Sequence, residues 1–156
     1  MDRRKVLLIT VLLVLLLAIL SFSLYPSLLT LSLGGTLPAG TIITWAGIIA
    51  LPVLIYLVIK RLHRPVSGAF RFFRAFILVI IAFAMSWGGV AYYLAGNWAF
   101  NFSGSVSTFR GSAAASPYFW NYTYFLLALP IAFLLIYWSY LLVVYWQAYR
   151  AKKREK

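Results

Sequence analysis

Few residues of this sequence carry side chains that titrate near neutral pH or hold metal ions. The carboxylates are Asp2 and Glu155, which lie at opposite ends of the chain beside basic residues, and the single histidine is His63. General acid–base catalysis and oxygen-ligand metal sites both need several such groups in one place. We therefore expect no catalytic residues and no metal site in this chain.

His63 stands between Arg61 and Arg64, and the chain contains no cysteine. One imidazole does not supply the ligands of a structural zinc site or of a haem held by two histidines. We expect an imidazole that faces solvent or lipid headgroups, outside the hydrocarbon.

The remaining polar residues do not form a recognised catalytic pattern. The serines have no companion base that would activate them as nucleophiles. The glycine pairs at 34–35 and 88–89 lack the lysine of a phosphate-binding loop. The sequence predicts a chain that is not an enzyme and that binds no cofactor.

Long apolar runs account for most of the chain. Apolar residues make up 64% of it and charged residues 10%, whereas a soluble domain has about 25% charged residues. Four runs have about the 20 residues that are needed to cross a hydrocarbon core. We therefore predict an all-α fold, namely a polytopic integral membrane protein with a bundle of four transmembrane helices. The whole chain, 1–156, would form one domain. The first run follows a basic start, as in a signal peptide, but it is longer than the apolar part of a usual signal, and we interpret it as an uncleaved span. The predicted spans are approximately 6–25, 41–59, 72–94 and 122–146.

Lysine and arginine are unevenly divided among the segments that connect these spans. Of the 14 such residues, Arg110 alone falls on the side opposite the N-terminus. Short loops rich in Lys and Arg remain in the cytoplasm. We therefore expect a multi-pass protein of the plasma membrane with both termini cytoplasmic. The loop 60–71 and the basic tail 147–156 would be cytoplasmic, and the loops 27–40 and 97–120 would be external.

Small residues recur along one face of the third span, at the spacing i, i+4, i+7, i+11. Such a stripe lets a second helix approach closely in lipid. We expect it to pack against another span of this chain or, alternatively, against a partner subunit. Its members are Ala84, Gly88, Ala91 and Ala95.

Three aromatic residues near the middle of the fourth span, Tyr137, Trp138 and Tyr140, carry polar atoms. Polar atoms deep in a membrane need hydrogen-bond partners. We expect bonds across the bundle, to Ser86 or Thr44. A flat ligand against this face, such as a quinone, a carotenoid or a sterol-like lipid, is the alternative.

Two basic clusters follow the ends of spans. We expect both clusters to attract anionic lipid headgroups. For the tail, the alternative is binding to an acidic partner. Nucleic acid is not expected, because the neighbouring aromatic residues are typical of membrane anchors. The residues are Lys60, Arg61 and Arg64 in the loop and Arg150, Lys152, Lys153 and Arg154 in the tail.

Two asparagines, Asn101 and Asn121, begin N-x-Ser/Thr sequons on the expected external side. This pattern is the acceptor signal for N-glycosylation. Both are candidate glycosylation sites.

These observations together predict a non-catalytic accessory subunit of a larger membrane complex of the respiratory, redox or transport type, in contact with lipid and with other membrane subunits. The alternative is a small homo-oligomeric transporter or channel. Pro52 and Pro130 lie inside the second and fourth spans, where proline loosens a helix, and the absence of charge inside the spans predicts a neutral solute or lipid as cargo.

Overall fold

The computed structural model describes residues 3–34, 37–98 and 110–154. In chain order its elements are α1 (Arg3–Ser23), α2 (Pro26–Leu29), β1 (Ser32–Leu33), β2 (Leu37–Pro38), α3 (Ala39–Val58), α4 (Lys60–His63), α5 (Gly68–Ala95) and α6 (Ala115–Arg154). Four of the helices, α1, α3, α5 and α6, are long and apolar enough to cross a membrane. The chain is thus mostly helical, as the sequence predicts, and has the helices of a membrane protein.

Local sequence signals define both ends of α5. Its first turn is capped by Ser67, whose hydroxyl accepts a hydrogen bond from the backbone N–H of Phe70 at 3.4 Å. Its last turn is closed by Gly96, which adopts a left-handed conformation with φ of 73°. Glycine tolerates this conformation because it lacks a β-carbon.

Helix α6 is longer at both ends than the predicted span 122–146. It begins at Ala115 and continues to Arg154, over 40 residues. Pro117 is accommodated in the first turn, where its missing N–H would have no helical partner. After 146 the chain continues with Gln, Ala, Lys and Arg, which are strong helix formers, so the helix does not end where the hydropathy falls.

The long helices pack as a series of neighbours. Helix α1 packs mainly on α3, α3 packs on α5, and α5 packs on α6, with a smaller contact between α3 and α6. At one end, the guanidinium of Arg4 donates to the carbonyl of Leu57, and we call this the basic end. At the other end, the backbone N–H of Arg110 donates to the carbonyl of Ala95 at 2.9 Å.

A short hairpin lies in the predicted external loop 27–40. Strands β1 and β2 pair antiparallel, with Ser32 opposite Pro38 and Leu33 opposite Leu37. Gly34 has a positive φ of 63° in the turn. This two-residue pairing is a small departure from the all-α prediction, and it returns the chain from α1 to the start of α3.

Candidate functional site

The small-residue stripe of α5 is buried inside the chain. Ala84, Ala91 and Ala95 are each at most 1% exposed. A β-carbon built on Gly88 would lie 2.6 Å from the ring of Trp45 on α3, and the Trp45 indole N–H donates to the carbonyl of Met85 at 3.2 Å. The stripe therefore lets the Trp45 side chain of α3 pack against the α5 backbone. The small-residue face is thus covered by another helix of the same chain.

The three aromatic residues of α6 do not share one face. Tyr137 is buried and lies edge-on to Phe73, with 5.3 Å between ring centroids, whereas Trp138 is 66% exposed. Tyr140 lies edge-on to Phe70 at 6.0 Å. Because Phe70 and Phe73 are in the first turns of α5, the tyrosines lie toward the basic end and not near the middle of the bundle.

The expected hydrogen bonds from these tyrosines to Ser86 or Thr44 are not formed. Ser86 bonds instead to the hydroxyl of Tyr122, with 2.7 Å between the oxygens, and the hydroxyl of Thr44 is buried with no hydrogen-bond partner. The prediction assigned the wrong tyrosine, because spacing along one helix does not give the register between two helices.

A polar pair between α5 and α6 lies beside the Ser86–Tyr122 bond. The indole N–H of Trp87 donates to the hydroxyl of Thr123 at 3.0 Å, and that hydroxyl donates to the carbonyl of Phe119 at 2.9 Å. The sequence alone did not predict this pair. In the sequence, the signal is that each helix carries two adjacent residues with polar groups, Ser86-Trp87 on α5 and Tyr122-Thr123 on α6. The structure shows that these two pairs meet.

His63 differs from the expectation of a solvated or headgroup-facing ring. Its imidazole lies edge-on to the ring of Tyr56, with 4.6 Å between centroids. Its Nε2 atom is buried and has no hydrogen-bond partner. Among the described residues, no group of His, Cys, Asp or Glu side chains is suited to hold a metal ion.

The loop cations lie at the basic end, and one of them, Lys60, lines a cavity there. Lys60, Arg61 and Arg64 are exposed, and the guanidinium of Arg61 lies over the ring of Phe70 at 5.5 Å. Lys60 also lines a cavity of about 540 Å³ together with Arg4, Lys5 and the apolar side chains of Leu8, Ile9, Leu57 and Val58. Cations above apolar side chains suit the phosphate and the upper acyl chain of an anionic lipid.

The tail cations lie on a helical extension that projects from the bundle. From Leu142 to Arg154 every residue of α6 is exposed. One face carries apolar and aromatic side chains at i, i+3, i+4 and i+7, namely Leu142, Tyr145, Trp146 and Tyr149. The guanidinium of Arg150 lies 3.5 Å from the centroid of the Trp146 ring. The exposed cations Lys152, Lys153 and Arg154 follow.

The sequons have different outcomes. Asn101 lies outside the described residues. Asn121 is exposed but belongs to the second turn of α6, and not to an external loop.

Comparisons of the chain with protein-family models, with curated proteins and with solved structures find no match. Its function is therefore inferred from the chain's own geometry.

Proposed function

We propose that this chain is a multi-pass protein of the plasma membrane with both termini in the cytoplasm. Support comes from the described cations: Arg4 bonds to Leu57 and lines a cavity with Lys5 and Lys60 at one end of the bundle, whereas Arg110 is beside Ala95 at the other end. Cytoplasmic loops carry this excess of cations. The basic end then faces the cytoplasm and its anionic lipids.

Within that membrane we propose a non-catalytic accessory subunit of a larger complex of the respiratory, redox or transport type. The observation that carries this proposal is the extension of α6 from 142 to 154. A helix of 40 residues is about 60 Å long at 1.5 Å per residue, whereas the hydrocarbon core is about 30 Å thick. Part of α6 must project beyond the lipid.

The projecting part has the surface of an unpaired helix. Tyr145 is 72% and Tyr149 59% exposed, on the same face as Leu142 and Trp146. Burying apolar surface contributes about 25 cal/mol per Å², and helix faces with anchors at i, i+3, i+4 and i+7 commonly bind in grooves of a partner. Leu142, Tyr145 and Trp146 belong to the predicted span 122–146, so a partner subunit would cover them at the membrane and would cover Tyr149 where the tail enters the cytoplasm.

The charge of the extension defines the chemistry of the partner. Four cations, Arg150, Lys152, Lys153 and Arg154, adjoin the apolar face, and residues 3–154 contain no Asp or Glu. Two parallel copies of this extension would repel each other. We therefore propose a partner whose groove is apolar at its centre and acidic at its rim.

The test is to solubilise native membranes gently and to identify what co-migrates with the full chain. The double variant Tyr145→Ser/Tyr149→Ser is compared with Val144→Ser/Ala148→Ser, which changes the opposite side of the same helical turns. We expect a stoichiometric partner that the first variant loses and the second retains.

A chain that migrates alone, or only with copies of itself, contradicts the accessory role. It would support the alternative, a small homo-oligomeric transporter or channel, which is favoured by Pro52 and Pro130, both fully buried within their helices. Flux of a neutral solute into liposomes that contain only this protein is the corresponding measurement.

A further inference from the structure

A cleft lies at the basic end, between the first two turns of α1 and the end of α3. Its volume is about 540 Å³, within the range of about 300–1,000 Å³ that is usual for small-molecule sites. Three cations line it, Arg4 and Lys5 on α1 and Lys60 at the start of α4, and we call it the cationic cleft. The sequence did not single out Arg4 or Lys5 as residues that contact a ligand.

Arg4 joins the two walls of the cationic cleft. Its guanidinium donates to the carbonyl of Leu57 in the last turn of α3, where carbonyls lack partners within the helix. The bond holds the start of α1 against the end of α3, beside Lys60. A guanidinium has five N–H donors, and a bond to a neutral carbonyl leaves its charge in place. Arg4 therefore contributes a positive charge at a defined position.

The two lysines of the cleft have no acidic counterpart in the described part of the chain. Residues 3–154 contain no Asp or Glu, and Asp2 and Glu155 lie outside the described residues. Lys5 and Lys60 are both exposed. Cations that share one cavity repel one another, and an anion between them replaces this repulsion by attraction. The charge of the cleft thus favours an anionic ligand.

Apolar side chains line the part of the cleft that is farther from the basic end. On α1, Leu8 and Ile9 follow the two cations by one turn, which is about 6 Å at 1.5 Å per residue. On α3, Val58 precedes Lys60. Ile9 and Val58 are 46% and 57% exposed, so the cleft opens sideways, toward lipid in a membrane. A free phosphate would leave these side chains uncovered, whereas an acyl chain attached to the phosphate would cover them.

We propose that the cationic cleft binds one anionic glycerophospholipid. The phosphate lies among Arg4, Lys5 and Lys60, and the upper part of one acyl chain lies along Ile9 and Val58. This is a defined site for one molecule, unlike the general attraction of headgroups by exposed cations. It rests on the proposed membrane location but not on the accessory role, because no residue of α6 lines the cleft.

The test is native mass spectrometry of the full chain in detergent, at increasing concentrations of dioleoyl phosphatidylglycerol. Two comparison probes separate the parts of the lipid. Dioleoyl phosphatidylcholine has the same acyl chains without net charge, and glycerol 3-phosphate has the phosphate without acyl chains. We expect one phosphatidylglycerol per chain at saturation, bound at least about tenfold more tightly than phosphatidylcholine. Glycerol 3-phosphate should not displace it.

One pair of variants tests the charges. Lys5→Gln/Lys60→Gln should weaken phosphatidylglycerol binding about 25-fold, or about fivefold for each lysine. The matched control Arg3→Gln/Arg64→Gln removes the same charge from exposed residues that do not line the cleft. It should bind within about twofold of the wild type, because exposed charges outside the site are screened by salt.

A second pair of variants tests the apolar part. Val58→Trp fills the space between the two walls without a change of charge, and we expect it to abolish the one-to-one complex. The control Val6→Trp makes the same substitution on α1, at a residue that is 41% exposed and does not line the cleft. It should bind phosphatidylglycerol like the wild type.

The proposal is overturned if phosphatidylcholine binds as tightly as phosphatidylglycerol, if glycerol 3-phosphate displaces the lipid, or if either control variant loses as much binding as its cleft variant. Thermal unfolding adds a second readout. Because Lys5→Gln/Lys60→Gln removes like charges from one cavity, its melting temperature without lipid should equal or exceed that of the wild type, and a lower value would contradict the proposal. Added phosphatidylglycerol should raise the melting temperature of the wild type more than that of this variant, since a ligand stabilises the state that binds it.

Discussion

A β-carbon placed on Gly88 would lie 2.6 Å from the nearest ring carbons of Trp45. No real β-carbon approaches a neighbour so closely, so the indole must move if Gly88 is replaced. The ring cannot move freely, because its N–H is bonded to the carbonyl of Met85 and its face is stacked with Trp98. The contact between α3 and α5 thus depends on the absence of one methyl group.

The first prediction follows from this contact. Gly88→Ala should lower the free energy of unfolding by about 1–3 kcal/mol, as overpacking of a filled core does, and Gly88→Leu should prevent native packing. Gly89→Ala is the matched control, since no heavy atom lies within 4 Å of the position that its added methyl group would occupy, and alanine favours helix by up to about 1 kcal/mol over glycine. Thermal unfolding in detergent, followed by tryptophan fluorescence, measures the difference. Equal melting temperatures for the two alanine variants would contradict the assigned packing.

The second prediction concerns the tyrosine hydroxyls of α6. Tyr122→Phe removes the bond to Ser86 and should cost about 0.6 kcal/mol and at most about 1.7 kcal/mol, the average and the maximum measured for such bonds in a membrane protein. Tyr140→Phe removes a hydroxyl that bonds to no other described residue, and its unfolding free energy should stay within about 0.5 kcal/mol of the wild type. If Tyr140→Phe is the more destabilising of the two, the register between α5 and α6 is wrong.

The third prediction concerns the buried pair of Trp87 and Thr123. Thr123→Val leaves the indole N–H of Trp87 without its acceptor, which costs about 1–3 kcal/mol for a buried donor. In a double-mutant cycle with Trp87→Phe, the two losses should not add, because either change alone removes the bond. Strictly additive losses would show that the two side chains are not coupled.

The fourth prediction tests the proposed orientation. The natural chain has no cysteine, so single cysteines can be introduced without removing others. Val66 is 92% exposed in the segment between α4 and α5, and Ser112 is exposed just before α6. In intact cells a membrane-impermeant maleimide should label Ser112→Cys, and it should reach Val66→Cys only after the membrane is opened. The opposite pattern would reverse the assigned topology.

The sequence predicts some of these features better than others. The long apolar helices follow directly from composition, because about 20 apolar residues in a row have few alternatives to a membrane helix. The ends of α6 were not predicted, since hydropathy marks where lipid is favourable and not where a helix stops. The partners of Ser86 and Tyr137, and the lack of a hydrogen-bond partner for the Thr44 hydroxyl, were not predicted either. They depend on the register between helices, which is a property of packing in three dimensions.

The peripheral position of α1 has a consequence for the order in which the protein is assembled. Because α1 packs mainly on α3, with Ala18 close to Gly47, its partner is complete once translation has passed Val58. The N-terminal half can therefore associate as a helical hairpin while α5 and α6 are still being synthesised. In that hairpin the Trp45 side chain is not yet packed against α5, because Gly88 has not yet been synthesised.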